Sequence, residues 1–372
     1  MSAVGERVGW VERSETHHLH ASPYGRDGFH FVQPILRIIT AALLFLHLTP
    51  AIAQTAARQT VAEPPVRIDI AVTPVDAFEA RDPSKRRFGA LEFRGGLVLS
   101  SPYKEFGGFS ALRVAPDGSR FIAISDKGRW LRGRIVYDHA RPVRIADAEM
   151  APALGPDGRP LAARGWYDTE SIAEDGGTLY VGIERVNRIV KFDYGRFGLA
   201  ARAQIVPVPP GVGTLPNNKG LECLTVAGKA TPLAGTLIAI SERGLDANGN
   251  IKGFLIGGRT PGDFSYKRVD EFDVSDCATL PSGDILVLER KFRWSTGVQV
   301  RIRRIAAASI VPGALVEGPA LLDADMGFQI DNMEGLSVHT LPTGEIVLTL
   351  ISDDNFSILQ RTLLLQFTLV GE

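Results

Sequence analysis

The stretch DNMEGLSVHTLPTGEIVLTLISDDN, residues 331–355, decides the fold. An acidic residue enters an apolar segment (Glu334-Gly-Leu-Ser-Val), the chain turns at Pro342-Thr-Gly, a second apolar segment covers 346–351, and Ser352-Asp-Asp closes the unit. Pro presets φ and Gly accepts φ > 0, so Pro-Thr-Gly between two apolar runs reads as a hairpin turn. The same pattern appears four more times upstream: GFSALRVAPDGSRFIAISDKG from Gly108, DTESIAEDGGTLYVGIERV from Asp168, GLECLTVAG with LIAISERG from Gly220, and SDCATLPSGDILVLERKF from Ser275. Matching acid to acid puts Ser110, Glu170, Glu222, Asp276 and Glu334 in one column. A second column holds Asp126, Glu184, Glu242, Glu289 and Asp353. By subtraction, the intervals along the first column are 60, 52, 54 and 58 residues, a repeat length read as a propeller blade.

After each apolar strand a further strand follows, such as RIVKFD at 188–193, so each unit holds three or four strands. The fold expected is all-β: a single β-propeller, six-bladed, with five blades as the alternative. Five units are visible directly. The sixth would form from strands near 88–99 and 363–369, closing the ring by pairing the N- and C-terminal strands and removing free sheet edges. Helix signals are almost absent, with 141–154 the best candidate. The 39 Gly and 23 Pro suit many short strands and tight turns, and a hydrophobic content of 45% is enough for a packed core.

The propeller domain is expected over 66–372, preceded by a flexible lead at 54–65. Before that, Gln33-Pro-Ile-Leu-Arg37 leads into an apolar run over 38–48 and then Thr49-Pro-Ala-Ile-Ala53, the pattern of a signal peptide at 32–53 cleaved near Ala53. The run is too short for a comfortable membrane span, so the mature chain should carry no stable one. Some thirty polar residues ahead of it do not belong to such a signal, so 1–31 reads as an extension upstream of a true start near Val32. The mature protein is then periplasmic or secreted. A formal charge of −1 gives no long-range reason to expect nucleic acid. Cys223 and Cys277 each follow a first-column acid in neighbouring repeats, which places them too far apart for a disulfide and predicts two buried thiols.

In a propeller the innermost strand of every blade lines the axis, so one column converges on one ring. Carboxylates gathered there repel unless something offsets them. Lys127, Arg185, Arg243 and Arg290 each follow a second-column acid and could do so, or could bind an anionic substrate group. The second column could equally be a repeated blade-to-blade clamp. The first column, with Asp168, Asn217, Asp331 and Asn332 just before it, forms an oxygen-rich site that favours Ca2+, and Mg2+ less, over Zn2+. The metal ligands expected are Glu170, Glu222, Glu334 and Asn332, with Asp276 as general base among the catalytic acids Glu170, Glu222, Asp276 and Glu334. Beyond 53 only His139 and His339 remain, against a multi-His zinc site, and His339 reads as an ordinary packed or surface residue. No Gly-x-Ser-x-Gly elbow, phosphate loop or dinucleotide fingerprint occurs, so no nucleotide or organic cofactor is expected. Asp246-Ala-Asn-Gly-Asn250 lacks the downstream Glu of a calcium loop and reads as a surface turn. Trp130, Trp166, Tyr167 and Trp294 lie near strand ends, where blade packing is the commoner role and a pocket mouth the other.

GGFSAL…FIAISDKG, DTESI…LYVGIER, NKGLECL…LIAISER, SDCATLPSGDILVLER and DNMEGLSV…ISDDN together resemble the phytase-like family described by an "esterase-like activity of phytase", over roughly 88–369. That resemblance implies an exported bacterial protein whose recurrent Glu and Asp are suspected of hydrolysing phosphodiesters or esters. The Arg-His-Gly and His-Cys signatures of well-understood phytases are missing. More distantly, the hub is similar to calcium-dependent lactonase and esterase propellers that place Glu, Asn and Asp around one metal. The reading is a monomer hydrolysing a small-molecule ester or phosphate ester at the channel mouth with a metal ion's help. The alternative is a non-catalytic propeller of the cell envelope that binds a ligand or protein.

Overall fold

A computed structural model describes residues 63–371; the expected leader at 1–53 and most of the lead at 54–65 lie outside the described residues. Among the described residues the strands form five twisted sheets of four to six strands, each running outward from an inner strand. The inner strands are Phe109–Val114, Thr169–Asp175, Leu221–Val226, Asp273–Thr279 and Met333–Thr340. Each packs against the next, and Met333–Thr340 packs back on Phe109–Val114, so the ring is closed with five blades. Six blades was the wrong number. The strands assigned to a sixth blade do pair, but Leu91–Ser100 lies on Thr362–Leu369 as an outer strand of the sheet that already holds Met333–Thr340 and Ile346–Ser352. Ala71–Val75 completes that blade on the outside. An N-terminal strand, Leu91–Ser100, and the C-terminal strand Thr362–Leu369 therefore meet within blade five, and closure by pairing of these strands holds.

Blades are built from the hairpins the sequence marks. Gly118, Gly283 and Gly344 close equivalent turns with φ of 73°, 93° and 89°, a conformation that costs a residue with a Cβ. The helix candidate at 141–154 is instead the strand Arg141–Pro152, the outer partner of Arg129–Asp138 in blade one. Its buried Ile145, Ala148 and Met150 pack into the core through the sheet pairing, which overrides a weak helical preference. Aliphatic side chains fill the space between blades in several separate clusters, so the core is a ring of inter-blade layers around a polar hub. Among the described residues no helix is long and apolar enough to cross a membrane.

Cys223 and Cys277 form a disulfide, with Cα atoms 5.0 Å apart. The expectation of two thiols fails because inner strands converge at the hub and because the cysteines are not equivalent positions, as the strand register shows below. His339 is buried where blade five meets blade one, beside Gly118. Asp246 accepts bonds from the Asn248 and Asn250 amides within a surface turn.

Candidate active site

In every blade the ladder beside the inner strand skips one residue. The skipped residues are Ser110, Glu170, Glu222, Ser275 and Glu334. A bulge of this kind re-aims a side chain out of the pleat, and here five bulges at one level aim five side chains at the axis. On the neighbouring strand the residue just past the pair that precedes the bulge is Asp126, Glu184, Glu242, Arg290 and Asp353; only Arg290 is still paired, with Asp273. Matching acid to acid is therefore one residue out in blade four. Its first-column residue is Ser275, not Asp276, and its second-column residue is Arg290, not Glu289. The same offset makes Cys223 the first residue after its bulge and Cys277 the second.

Oxygens of Glu170, Glu222 and Glu334 all lie within 4.8 Å of one another, although the residues come from blades two, three and five. Glu222 and Glu334 are buried and Glu170 is partly exposed. Glu334 Oε1 accepts from Asn332 Nδ2 at 2.8 Å and pairs with Arg290 Nη1 at 3.2 Å, while Arg290 Nη1 also donates to Asn332 Oδ1 at 2.7 Å. A second group, Glu184, Glu222 and Glu242, meets the same distance limit. Glu184 Oε1 accepts from the Gly220 amide at 2.6 Å, and Glu242 accepts from Lys219 Nζ at 2.9 Å. Glu222 Oε2 and Asp126 Oδ1 are buried and find no hydrogen-bond donor.

The electrostatic consequence is large. Burial, then the carboxylates of Glu170, Glu334, Glu184 and Glu242, push Glu222 well above the usual carboxylate range. Glu170 is pushed up in the same way by burial and by Glu334 and Glu184. Burial raises Glu184 to about 7 and Asp126 to about 6, and it also raises Glu334 against the opposing pull of Arg290. Burial first, and then crowding with one another, keeps these acids protonated to higher pH than ordinary carboxyls.

Other expected site residues fall elsewhere. Asp276 is fully buried and points down the axis, where Arg113 Nη1 meets Oδ2 at 3.0 Å and the Leu336 and Cys277 amides donate at 2.7 Å each. Arg113 also donates to the Leu112, Leu224, Cys277 and Leu336 carbonyls, so its guanidinium spans the axis and ties four blades together. With its oxygens so engaged, Asp276 belongs to a plug below the acidic ring rather than to the ring. Glu289 turns toward Tyr266 Oη at 2.7 Å and Arg303. Arg243 is held by Asp273 on both carboxylate oxygens. Lys127 lies over the Phe356 ring and Arg185 over Tyr167, both on the rim. Trp130 and Trp166 are buried between blades, whereas Tyr167 and Trp294 are exposed. Asn217 is exposed and Asp331 binds Arg361.

Sequence reasoning passed over Arg113 and Lys219. The signal for Arg113 was present as a lone cation in the apolar strand FSALRV, where burial demands a partner. Lys219 carried no such mark, since its role depends on a loop folding back onto Glu242.

The family model for Phytase-like, "Esterase-like activity of phytase", matches residues 104–356, which run from just before the inner strand of blade one to the loop after Asp353. The chain belongs to the Phytase-like family. All the hub acids named above fall inside that match. No curated protein matches the chain. Among solved structures, it is similar to the glutaminyl cyclase of Myxococcus xanthus at 12% identity and a TM-score of 0.37, covering 71% of this chain and 92% of that one. It is also similar to the PQQ-bound aldose sugar dehydrogenase of Streptomyces coelicolor, at 12% identity and a TM-score of 0.36, covering 82% and 99%. Likenesses at this level say nothing of what the chain does.

Proposed function

We propose that the chain is a metal-assisted hydrolase of a phosphate ester, phosphodiester or other ester at the mouth of the hub. The observation that carries this is the meeting of Glu170, Glu222 and Glu334 within 4.8 Å, with Glu222 Oε2 buried and unpartnered. Three carboxylates are hard oxygen donors of the kind Ca2+ takes, with Mg2+ the second choice. Glu170, Glu222 and Glu334 would hold the ion, while Asn332 fixes the Glu334 carboxylate through its amide. When bound, a divalent cation supplies positive charge where an ester's oxygens gain negative charge during hydrolysis.

The chain's own groups supply the rest. Asp126, raised by burial to about 6 and with Oδ1 free of donors, is suited to take a proton from an attacking water, the task earlier given to Asp276. Lys127 and Arg185 stand on the rim to orient an anionic group. Arg113 and Asp276 below the ring confine substrate to one face. The second reading, a binding propeller without turnover, is favoured by Glu184, whose Oε1 accepts the Gly220 amide of the next blade as a buried structural link.

Aryl phosphate, bis-aryl phosphodiester and carboxylic ester panels, assayed with EDTA and with Ca2+, separate the two. Turnover that needs Ca2+ and falls at least about a hundredfold in Glu222→Gln or Asp126→Asn supports the enzyme, the size usual for losing a general base. Absence of turnover across all three classes by a folded, Ca2+-loaded protein supports the binder.

A further inference from the structure

We propose that the hub holds a second cation beside the first, in the space bounded by Glu184, Glu222 and Glu242, with Glu222 shared between the two. One oxygen from each of these residues lies within 4.8 Å of the others, and all three side chains are buried. This group uses the second column of blades two and three, whereas Glu170 and Glu334 lie in the first column of blades two and five. The two positions therefore have distinct walls, with the Glu222 carboxylate between them.

Two further oxygens point to a ligand. Glu222 Oε2 and Asn187 Oδ1 are each at least nine-tenths buried and each lacks a hydrogen-bond donor. Leaving such groups unpaired in the interior is destabilising, so their burial calls for an electrophile. Asn187 is held for this. It closes the turn after Glu184 in the left-handed conformation, φ 45°, and its Nδ2 donates to the Leu215 carbonyl at 2.9 Å. That bond fixes the amide and turns Oδ1 toward Gly220, where a Cβ would stand 2.8 Å from Oδ1 and 2.7 Å from Glu184 Cγ. Gly220 thus leaves open the space that Glu184 and Asn187 border.

Charge agrees. Against three carboxylates stand Lys219, 2.9 Å from Glu242, and the more distant Arg290 Nη2 at 3.7 Å, which is also engaged by Glu334. Lys219 is one-third exposed on a long stem and can leave for solvent when a divalent ion enters. Carboxylate and amide oxygens in a flexible set suit Ca2+ better than the strict octahedron of Mg2+. If the proposed hydrolase reading holds, on which this functional consequence rests, two ions sharing Glu222 would form the kind of centre that clamps both attacking and leaving oxygens.

Equilibrium dialysis of the full chain against radiolabelled Ca2+ at pH 8 tests it, with circular dichroism confirming each variant's fold. The wild type should bind two ions per chain. Glu184→Gln and Asn187→Ala should bind one, Glu170→Gln should bind one, and Glu222→Gln should lose or weaken both. Lys219→Met should tighten the weaker constant several-fold. A wild-type stoichiometry of one, or two ions retained in Glu184→Gln, would overturn the second site while leaving the first standing. No binding at all would sink both.

Discussion

Glu222 belongs to both groups of converging carboxylates, is buried, and keeps one oxygen without a donor, so its ionisation in the cation-free protein is opposed by burial and by the four carboxylates around it. The sign of the resulting pH dependence follows directly. Folded-state values for Glu184 and Asp126 are raised to about 7 and about 6, and those of Glu170 and Glu222 are raised well beyond the ordinary range, whereas the unfolded carboxylates titrate near about 4. Between those values the folded chain binds more protons, so stability falls as pH rises. In chelator, the urea midpoint should drop from pH 5 to pH 8, and Glu222→Gln should flatten that slope. A midpoint independent of pH over this window would show that the ring is neutralised from within by Arg290 and Lys219.

Among the elements, the five bulged inner strands do the positioning. Most of this was legible: the acid-then-apolar pattern marks Glu170, Glu222 and Glu334 because bulge and acid recur together. Blade four was misread because Ser275 takes the bulge and an acid stands immediately after it, and bulges leave no residue-type signature that would separate Ser275-Asp276 from Thr169-Glu170. One misplaced residue then carried the errors over Asp276, Glu289 and the cysteines. The plug beneath the ring should matter for stability more than for chemistry. Arg113→Leu leaves Asp276 charged and buried without its partner, at a cost of about 3–5 kcal/mol by urea unfolding, part of which a paired Asp276→Leu should recover. The Cys223–Cys277 bond joins adjacent inner strands across 54 residues. In the chain-entropy picture, replacing both cysteines with serine should cost about 4 kcal/mol, read from the same unfolding curves. A loss under about 1 kcal/mol would mean the hub contacts alone hold those strands.

For the whole molecule, closure within blade five is what makes residues hundreds of positions apart into one site. The number of blades could not be read from five echoes, since terminal strands pair equally well as a sixth blade or as the outside of the fifth. The pairing of Thr362–Leu369 with Ile346–Ser352 settles this, because it makes the terminal strands the outer part of blade five. Deleting the outer strands Ala71–Val75 and Leu91–Ser100 exposes the edge of Thr362–Leu369. The truncated chain should lose cooperative unfolding and aggregate, as calorimetry and light scattering would show. A sharp, reversible transition in that truncation would mean that four blades and an open fifth suffice.

The central claim is that the five-bladed ring gathers buried carboxylates whose charge calls for a divalent cation. Melting temperature with and without Ca2+, at pH 8 and at pH 5, tests it most directly. The account predicts a clear rise on adding Ca2+ at pH 8, a much smaller one at pH 5 where protons already neutralise the ring, and none in Glu222→Gln. A wild-type melting temperature that ignores Ca2+ and other divalent cations at pH 8 would contradict it.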